Sequence, residues 1–199
     1  MTVRHTPPHD VVILAAGSSS RLGQPKQLLT KDGETLLART VRHALQTRPM
    51  TVCVVLGAEA ATLARDLAGL PVTVLINEAW QTGMASSLQT AAAALAAHRR
   101  PALITVVDQP ALSVAHFVAL LQAFDGSADI ISAYGEAAGV PVLLRPQTLA
   151  RARDLTGDEG FRRLWALESP VRLRADDLGA DLDTPDDVQR AIRAGLLDP

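Results

Sequence analysis

Short apolar segments alternate with amphipathic segments through the first two-thirds of the chain, and this alternation constrains the fold more than any other feature. Five segments rich in β-branched residues predict strands, and they lie at positions 11–15, 52–56, 72–76, 103–107 and 129–133. Strands that are apolar throughout are covered on both faces, which is typical of a parallel sheet. Four segments have the spacing of amphipathic helices, and they lie at positions 35–46, 58–68, 86–98 and 113–123. The pattern predicts a doubly wound α/β fold, a mostly parallel sheet with helices on both faces.

The length of the chain predicts one domain. With 199 residues, of which 48% are hydrophobic, residues 1–199 can bury one substantial core without division. Residues 1–10 contain two prolines and two histidines and predict a loose N-terminal leader with solvated histidines. Beyond the fifth strand the alternation weakens. There we expect a strand at 140–144, a turn at 157–160 that opens a helix at 161–167, and a last helix capped by Thr184 and ending near Ala194.

Composition excludes several classes of protein. The formal net charge is −2 and no block of like charge occurs, which argues against a nucleic-acid surface. No apolar run reaches the roughly 18 residues that span a bilayer, and the first residues lack the apolar core of a signal peptide. We therefore expect a cytoplasmic protein without a membrane partner. The single cysteine, Cys53, lies in an apolar run and predicts a core thiol, with a catalytic nucleophile as the weaker interpretation.

The loop after the first strand has the composition of an anion-binding loop. It reads LAAGSSSRLGQPK over positions 14–26 and matches neither the dinucleotide fingerprint nor the Walker A motif. Small residues let backbone N–H groups approach an anion, Ser18 to Ser20 add hydroxyl donors, and Arg21 and Lys26 add positive charge. These features favour a polyphosphate ligand. A serine-rich surface turn with two solvated cations remains the alternative.

Asp108 follows the fourth predicted strand. In a doubly wound sheet of order 3-2-1-4 the first and fourth strands are neighbours, so Asp108 and the 14–26 loop border one crevice. A carboxylate that faces a phosphate-binding loop favours a divalent cation between them, and Mg²⁺ suits oxygen ligands. In the alternative interpretation, Asp108 only caps the turn formed by Asp-Gln-Pro.

Taken together, the motifs resemble the MobA-like small nucleotidyltransferases, the family of the molybdenum cofactor guanylyl- and cytidylyltransferases. Besides LAAGSSSRLGQPKQLL, the resemblance includes NEAWQTGMASSL at 77–88, DQP at 108–110, GVPVL at 139–143, GDEG at 157–160 and DLDTPD at 181–186. GMASSL combined with DQP resembles the cytidylyltransferase branch more than the guanylyltransferase branch. The resemblance implies a Rossmann-like fold.

The resemblance also implies roles for individual residues. The residues that it implies for nucleotide binding are Leu14, Ala15, Ala16, Gly17, Ser18, Arg21, Lys26, Gly83, Met84, Ser86 and Ser87. Arg21, Lys26 and Asp108 would form the catalytic set, with both cations on the triphosphate and Asp108 as a ligand of Mg²⁺. Asp183 is the favoured second ligand of this cofactor, and Asp181 stays open.

Two segments keep more than one interpretation. GMASSL is either part of the base and phosphate site or a glycine turn that starts a helix. Arg145, Arg162 and Arg163 are candidates for contact with an acceptor phosphate, or are surface arginines.

The implied reaction transfers CMP from CTP to the terminal phosphate of a molybdopterin-type acceptor and releases pyrophosphate. A phosphate monoester is largely dianionic at neutral pH, so the attacking group needs no strong general base. A molybdoenzyme that receives the cofactor is a further implied partner. Four alternatives stay open: a guanylyltransferase, transfer to another phosphorylated acceptor, a nucleotide-dependent oxidoreductase, and a non-catalytic protein that delivers the cofactor.

Overall fold

Seven strands form one sheet at the centre of the molecule. The computed structural model describes residues 6–165 and 168–199. Its strands are β1 (Asp10–Ala15), β2 (Thr30–Lys31), β3 (Glu34–Thr35), β4 (Thr51–Leu56), β5 (Thr73–Ile76), β6 (Ala102–Val106), β7 (Ile130–Tyr134), β8 (Ala137–Leu144) and β9 (Val171–Arg174). The central sheet has the order β5-β4-β1-β6-β8-β7-β9, and β2 and β3 form a separate small hairpin. Only β8 runs antiparallel to its neighbours in the central sheet, so the expected mostly parallel sheet is confirmed.

Helices cover both faces of this sheet, as the strand pattern predicts. They are α1 (Leu36–Gln46), α2 (Ala60–Asp66), α3 (Met84–Ala94), α4 (Val114–Ala123), α5 (Pro146–Ala150), α6 (Arg162–Trp165) and α7 (Pro185–Arg193). Alternate residues of β1 enter two cores. Val11 and Ile13 pack in the core that α1, α2 and α4 cover, whereas Val12 and Leu14 pack in the core that α3 and α5 cover. The first four predicted strands have the expected 3-2-1-4 order, which confirms the doubly wound arrangement.

The leader predicted for residues 1–10 is wrong at its C-terminal end. β1 begins at Asp10, which pairs with the Arg100 guanidinium at 2.9 Å and with His98 at 3.0 Å. His9 is also buried rather than solvated, and its Nε2 hydrogen-bonds Thr47 Oγ1 at 2.9 Å. These polar groups can be buried because each has a partner. Residues 1–5 of the predicted leader lie outside the described residues.

Some predicted boundaries differ from those in the structure. The predicted helix at 86–98 begins two residues earlier, at Met84, and ends at Ala94. Of the helix predicted at 161–167, the structure has Arg162–Trp165, and positions 166 and 167 lie outside the described residues. Cys53 is buried in β4, and burial raises the pKa of its thiol, as expected for a core cysteine. Within the described ranges, the structure contains no helix of the length and apolarity that a membrane crossing requires.

Candidate active site

Four of the predicted site residues lie together at the carboxyl end of β1 and β6. Lys26 Nζ donates to Asp108 Oδ2 at 2.5 Å and to Asp183 Oδ1 at 3.4 Å. Arg21 Nη2 donates to Asp183 Oδ2 at 2.8 Å. Partial burial opposes the charge of Lys26, but the adjacent carboxylates Asp108 and Asp183 outweigh this effect and raise the pKa of the ammonium group. The cluster joins three segments that are far apart in the sequence.

Local structure positions three members of this cluster. Lys26 begins a short 3₁₀ turn directly after Pro25, and Asp108 is the second residue after the end of β6. Asp183 precedes Thr184, the N-cap of α7, and its backbone N–H donates to the Asp187 carboxylate at 3.2 Å. The capping interaction of α7 therefore holds Asp183 in place beside the loop.

Gln27 shapes the 14–26 loop, a role that sequence reasoning missed. Its buried Nε2 donates to the carbonyl oxygens of Ala15 at 3.0 Å and of Gly17 at 2.8 Å. Ser19 Oγ accepts from Lys26 N at 3.1 Å, so this hydroxyl closes the loop internally. A polar residue next to Lys26, followed by two leucines, was the available signal for an inward-facing amide.

Two adjoining cavities share Asp108 of this cluster as a lining residue. The smaller, of about 330 Å³, is lined by predicted residues, namely Leu14, Ala15, Ala16, Gly17, Ser18, Lys26, Gly83, Met84, Ser87 and Asp108. Trp80 and Gln81 also line the smaller cavity, although neither is predicted as a site residue from the sequence. Arg21 and Ser86 lie outside this described lining. The larger cavity, of about 770 Å³, lies on the β8 side and has mainly apolar walls.

The backbone of the 156–160 loop passes so close to Gly83 that this position has no room for a side chain. Its φ is +109°, and a Cβ there would lie 2.3 Å from the carbonyl carbon of Gly157. The Gly157 carbonyl accepts from Ala85 N at 2.9 Å, and Asp158 Oδ1 lies 3.4 Å from Met84 N. These first N–H groups of α3 therefore have protein partners, and the glycine makes room for the 156–160 loop.

Ser86 and Ser87 share a buried partner. Asn77 Nδ2 donates to Ser86 Oγ at 2.8 Å and to Ser87 Oγ at 3.0 Å. Ser86 Oγ donates in turn to the Gly83 carbonyl at 2.8 Å. Ser86 thus stabilises the start of α3, while Ser87 also faces the smaller cavity. Asn77 belongs to the NEAWQTGMASSL segment, but no individual role is predicted for it from the sequence.

The aspartates of the cluster suit a divalent cation. Asp108 and Asp183 both reach one ammonium group, so their oxygens can approach a common point. Asp181 lies in the wall of the larger cavity, where partial desolvation and the charges of Asp108 and Asp183 raise the pKa of its carboxyl group. Carboxylate oxygens are ligands that Mg²⁺ prefers. Among the described residues no three acidic, histidine or cysteine side chains form a complete metal site, so phosphate oxygens and water would have to supply the remaining ligands.

The three candidate arginines have different surroundings. Arg145 pairs with Asp129 at 3.1 Å and with Glu168 at 2.5 Å and lies outside the described cavity linings. Arg162 and Arg163 both line the larger cavity. The structure therefore places two of the three at the cavity and gives Arg145 a structural ion pair.

Comparison with known proteins defines the family. The family model described as "MobA-like NTP transferase domain" matches residues 11–174, and the chain belongs to this family. The nicotine blue oxidoreductase of Paenarthrobacter nicotinovorans is 31% identical, with 91% of this chain and 95% of that protein covered. The molybdenum cofactor cytidylyltransferase of Escherichia coli is 26% identical, with 89% and 92% covered.

Solved structures agree with this assignment. Rv0371c from Mycobacterium tuberculosis superimposes with a TM-score of 0.83 at 26% identity, covering 94% of this chain and 98% of that one. A second structure of that protein, titled as a complex with manganese, gives a TM-score of 0.77 at 25% identity, with 94% and 99% covered. The fold and the family together define a nucleotidyltransferase of the MobA-like type.

Proposed function

We propose that this nucleotidyltransferase transfers CMP from CTP to the terminal phosphate of a molybdopterin-type acceptor and releases pyrophosphate. The observation that carries the proposal is the cluster of Lys26, Arg21, Asp108 and Asp183, in which Lys26 lines the smaller cavity and Asp108 lines both cavities. The smaller cavity would hold the nucleotide and the larger cavity the acceptor. The two substrates would then meet beside the cations and carboxylates.

Charge neutralisation accounts for the chemistry. The acceptor phosphate forms a bond to the α-phosphorus of CTP, and the bond from that phosphorus to pyrophosphate breaks. Lys26 and Arg21 would bind the triphosphate and stabilise the negative charge that develops on the leaving group. Asp108 and Asp183 would hold Mg²⁺, which supplies further positive charge against the triphosphate when bound. Positioning and electrostatics suffice because the attacking phosphate is already an anion.

The choice of cytidine and of the acceptor has separate support. The segments GMASSL and DQP resemble the cytidylyltransferase branch, and one relative is named molybdenum cofactor cytidylyltransferase. The manganese complex of Rv0371c supports a divalent cation in a protein of similar fold. A molybdoenzyme would be the recipient of the finished cofactor.

A pyrophosphate-release assay tests the proposal. CTP, GTP, ATP and UTP are each incubated with molybdopterin and Mg²⁺, and we expect release with CTP above the other three. The change Asp108→Asn should lower turnover by about a hundredfold or more if a metal ligand is lost. Asp154→Asn is the matched control because Asp154 is exposed and lies outside both cavity linings. Preference for GTP would assign a guanylyltransferase, and no release with any nucleotide would contradict the proposal.

A further inference from the structure

Asp158 lies where the two cavities meet. Five residues line both cavities, and they are Leu14, Met84, Val106, Asp108 and Asp158. Only the two aspartates among them are charged. We propose that Asp158 accepts hydrogen bonds from the ribose hydroxyls of the nucleotide and thereby selects ribonucleotides over deoxyribonucleotides. This inference rests on the proposed function.

The 156–160 loop holds Asp158 against the start of α3. Gln89 Nε2 donates to the Leu155 carbonyl at 2.9 Å, and Ala85 N donates to the Gly157 carbonyl at 2.9 Å. Asp158 Oδ1 accepts from Met84 N at 3.4 Å, whereas Oδ2 has no hydrogen-bond partner among the described residues. One carboxylate oxygen is therefore available to a ligand in the cavity.

The charges around the cavity decide which ligand group this oxygen can bind. Lys26 lies within 2.5 Å of Asp108, but within the described part of the chain no cation lies within 4 Å of Asp158. An unneutralised carboxylate repels phosphate, so a phosphate group cannot be its partner. Hydroxyl groups are suitable partners because a carboxylate is an acceptor only, and hydrogen bonds to a charged acceptor are strong.

The position of Asp158 selects the ribose among the parts of a nucleotide. The cations that would bind the triphosphate come from the loop after β1, whereas Asp158 lies on the α3 side of the smaller cavity with Gly83 and Met84. In a nucleoside triphosphate, the ribose hydroxyls are the first hydrogen-bond donors on the base side of the α-phosphate. A nucleotide with its α-phosphate beside Lys26 would present them toward the α3 side of the cavity, where Asp158 lies.

Calorimetric titration with five nucleotides tests this inference. CTP, 2′-deoxy-CTP, 3′-deoxy-CTP, UTP and GTP are titrated into the full chain at constant Mg²⁺. For the unchanged protein we expect CTP to bind about tenfold or more tightly than at least one deoxy form, which is about 1.4 kcal/mol. Asp158→Ala should weaken CTP binding until this ratio is near one and should leave the affinity for that deoxy form unchanged. Asp158→Asn retains an acceptor oxygen and should give an intermediate ratio.

A variant on the same loop provides the control. The Glu159 carboxylate accepts from Thr156 N at 3.2 Å and lies 3.6 Å from Arg163 Nη1, and Glu159 lines only the larger cavity. Glu159→Gln should therefore keep the ratio of CTP affinity to deoxy-CTP affinity that the unchanged protein has, and thermal unfolding verifies that each variant is folded.

Three outcomes would contradict the inference. If this affinity ratio is the same for the unchanged protein and for Asp158→Ala, the inference is overturned and the proposed function is unaffected. Loss of discrimination between CTP and UTP instead would also overturn it, because Asp158 would then contact the base. Absence of binding by both CTP and GTP would overturn the proposed function and this inference with it.

Discussion

At the scale of single residues, one ammonium group organises the candidate site. Lys26 is in contact with Asp108 and Asp183, two carboxylates that would otherwise repel each other. The sequence predicts Lys26 and Asp108 at one crevice because each follows a strand at the switch point of the sheet. The inward orientation of Gln27 and Asn77 was missed, because the partners of each buried amide lie 9 to 12 positions away in other elements and only the fold brings them together.

The Lys26→Ala change tests whether the loop binds a triphosphate. CTP binding should weaken by about tenfold or more, because hydrogen bonds to charged groups contribute about 1.5–3 kcal/mol. CMP binding should weaken less, since CMP lacks the β- and γ-phosphates. Calorimetry with both nucleotides at constant Mg²⁺ measures the difference, and Lys31→Ala is the control because Lys31 pairs with Asp32 outside both cavity linings. Equal losses for CTP and CMP would make Lys26 a structural residue only.

The Gly83→Ala change tests the backbone crossing at the start of α3. The new Cβ would meet the Gly157 carbonyl carbon at 2.3 Å, so the free energy of unfolding should fall by more than backbone strain alone predicts. Gly69→Ala is the matched control, since Gly69 has φ +85° but no atom within 4 Å of its Cβ position. Backbone strain at a positive φ costs about 1–3 kcal/mol, and overpacking adds about 1–3 kcal/mol at Gly83 only. Urea unfolding of both variants decides the point, and equal losses would contradict the crowding argument.

At the scale of elements, local signals predicted the starts of α1, α4 and α7 and missed the weakest strands. Thr35, Ser113 and Thr184 each accept a backbone N–H three residues on, as N-cap residues do. The β2–β3 hairpin has only two residues per strand, and β9 alternates valine or leucine with arginine at the edge of the sheet. Such segments lack the apolar run that identifies a central strand. The crossing of the 156–160 loop over α3 is likewise a contact between distant segments, which no local pattern indicates.

The C-terminal residues stabilise the β2–β3 hairpin. Asp198 Oδ1 accepts from Asp32 N at 2.8 Å, and Oδ2 accepts from Gly33 N at 2.9 Å. The hydrogen bond from Gly33 N is the largest of the interactions that lower the pKa of the Asp198 carboxyl group. We expect Asp198→Ala to lower the melting temperature, because two hairpin N–H groups lose their acceptors, and Asp154→Ala to leave it nearly unchanged. Differential scanning calorimetry measures both, and equal melting temperatures for the two variants would contradict this role.

At the scale of the whole molecule, the sheet brings the site together. β1 and β6 are neighbours, so the 14–26 loop and Asp108 meet although more than 80 positions separate them. This part of the site follows from the strand order, and the sequence predicts it. The β8 side of the molecule was less predictable, because β8 inserts antiparallel between β6 and β7 and carries one wall of the larger cavity. Apolar runs give no indication of the direction in which a strand enters the sheet.

Two buried histidines and a partly buried one should make the stability of the molecule depend on pH. Desolvation by burial is the largest influence on His9, His43 and His116, and it lowers the pKa of each imidazole. In the unfolded chain these groups titrate near their ordinary value of about 6.5. Below that pH the unfolded chain binds more protons than the folded chain, so the free energy of unfolding falls as the pH decreases. Stability should therefore be full above about pH 7.5 and decline as the pH falls from about 6.5 to the lower pKa values of the folded state.

Urea unfolding at pH 7.5 and pH 5.5 measures this decline, and His116→Gln provides the matched variant. Glutamine is uncharged at both pH values and has polar atoms that can hydrogen-bond Ser132 Oγ, which His116 Nε2 contacts at 2.7 Å. The variant should lose less stability than the unchanged protein between the two pH values, whatever its stability at pH 7.5, because one proton-binding group has been removed. An equal decline in both proteins would show that His116 does not contribute, and a gain in stability at pH 5.5 would contradict the linkage for all three histidines.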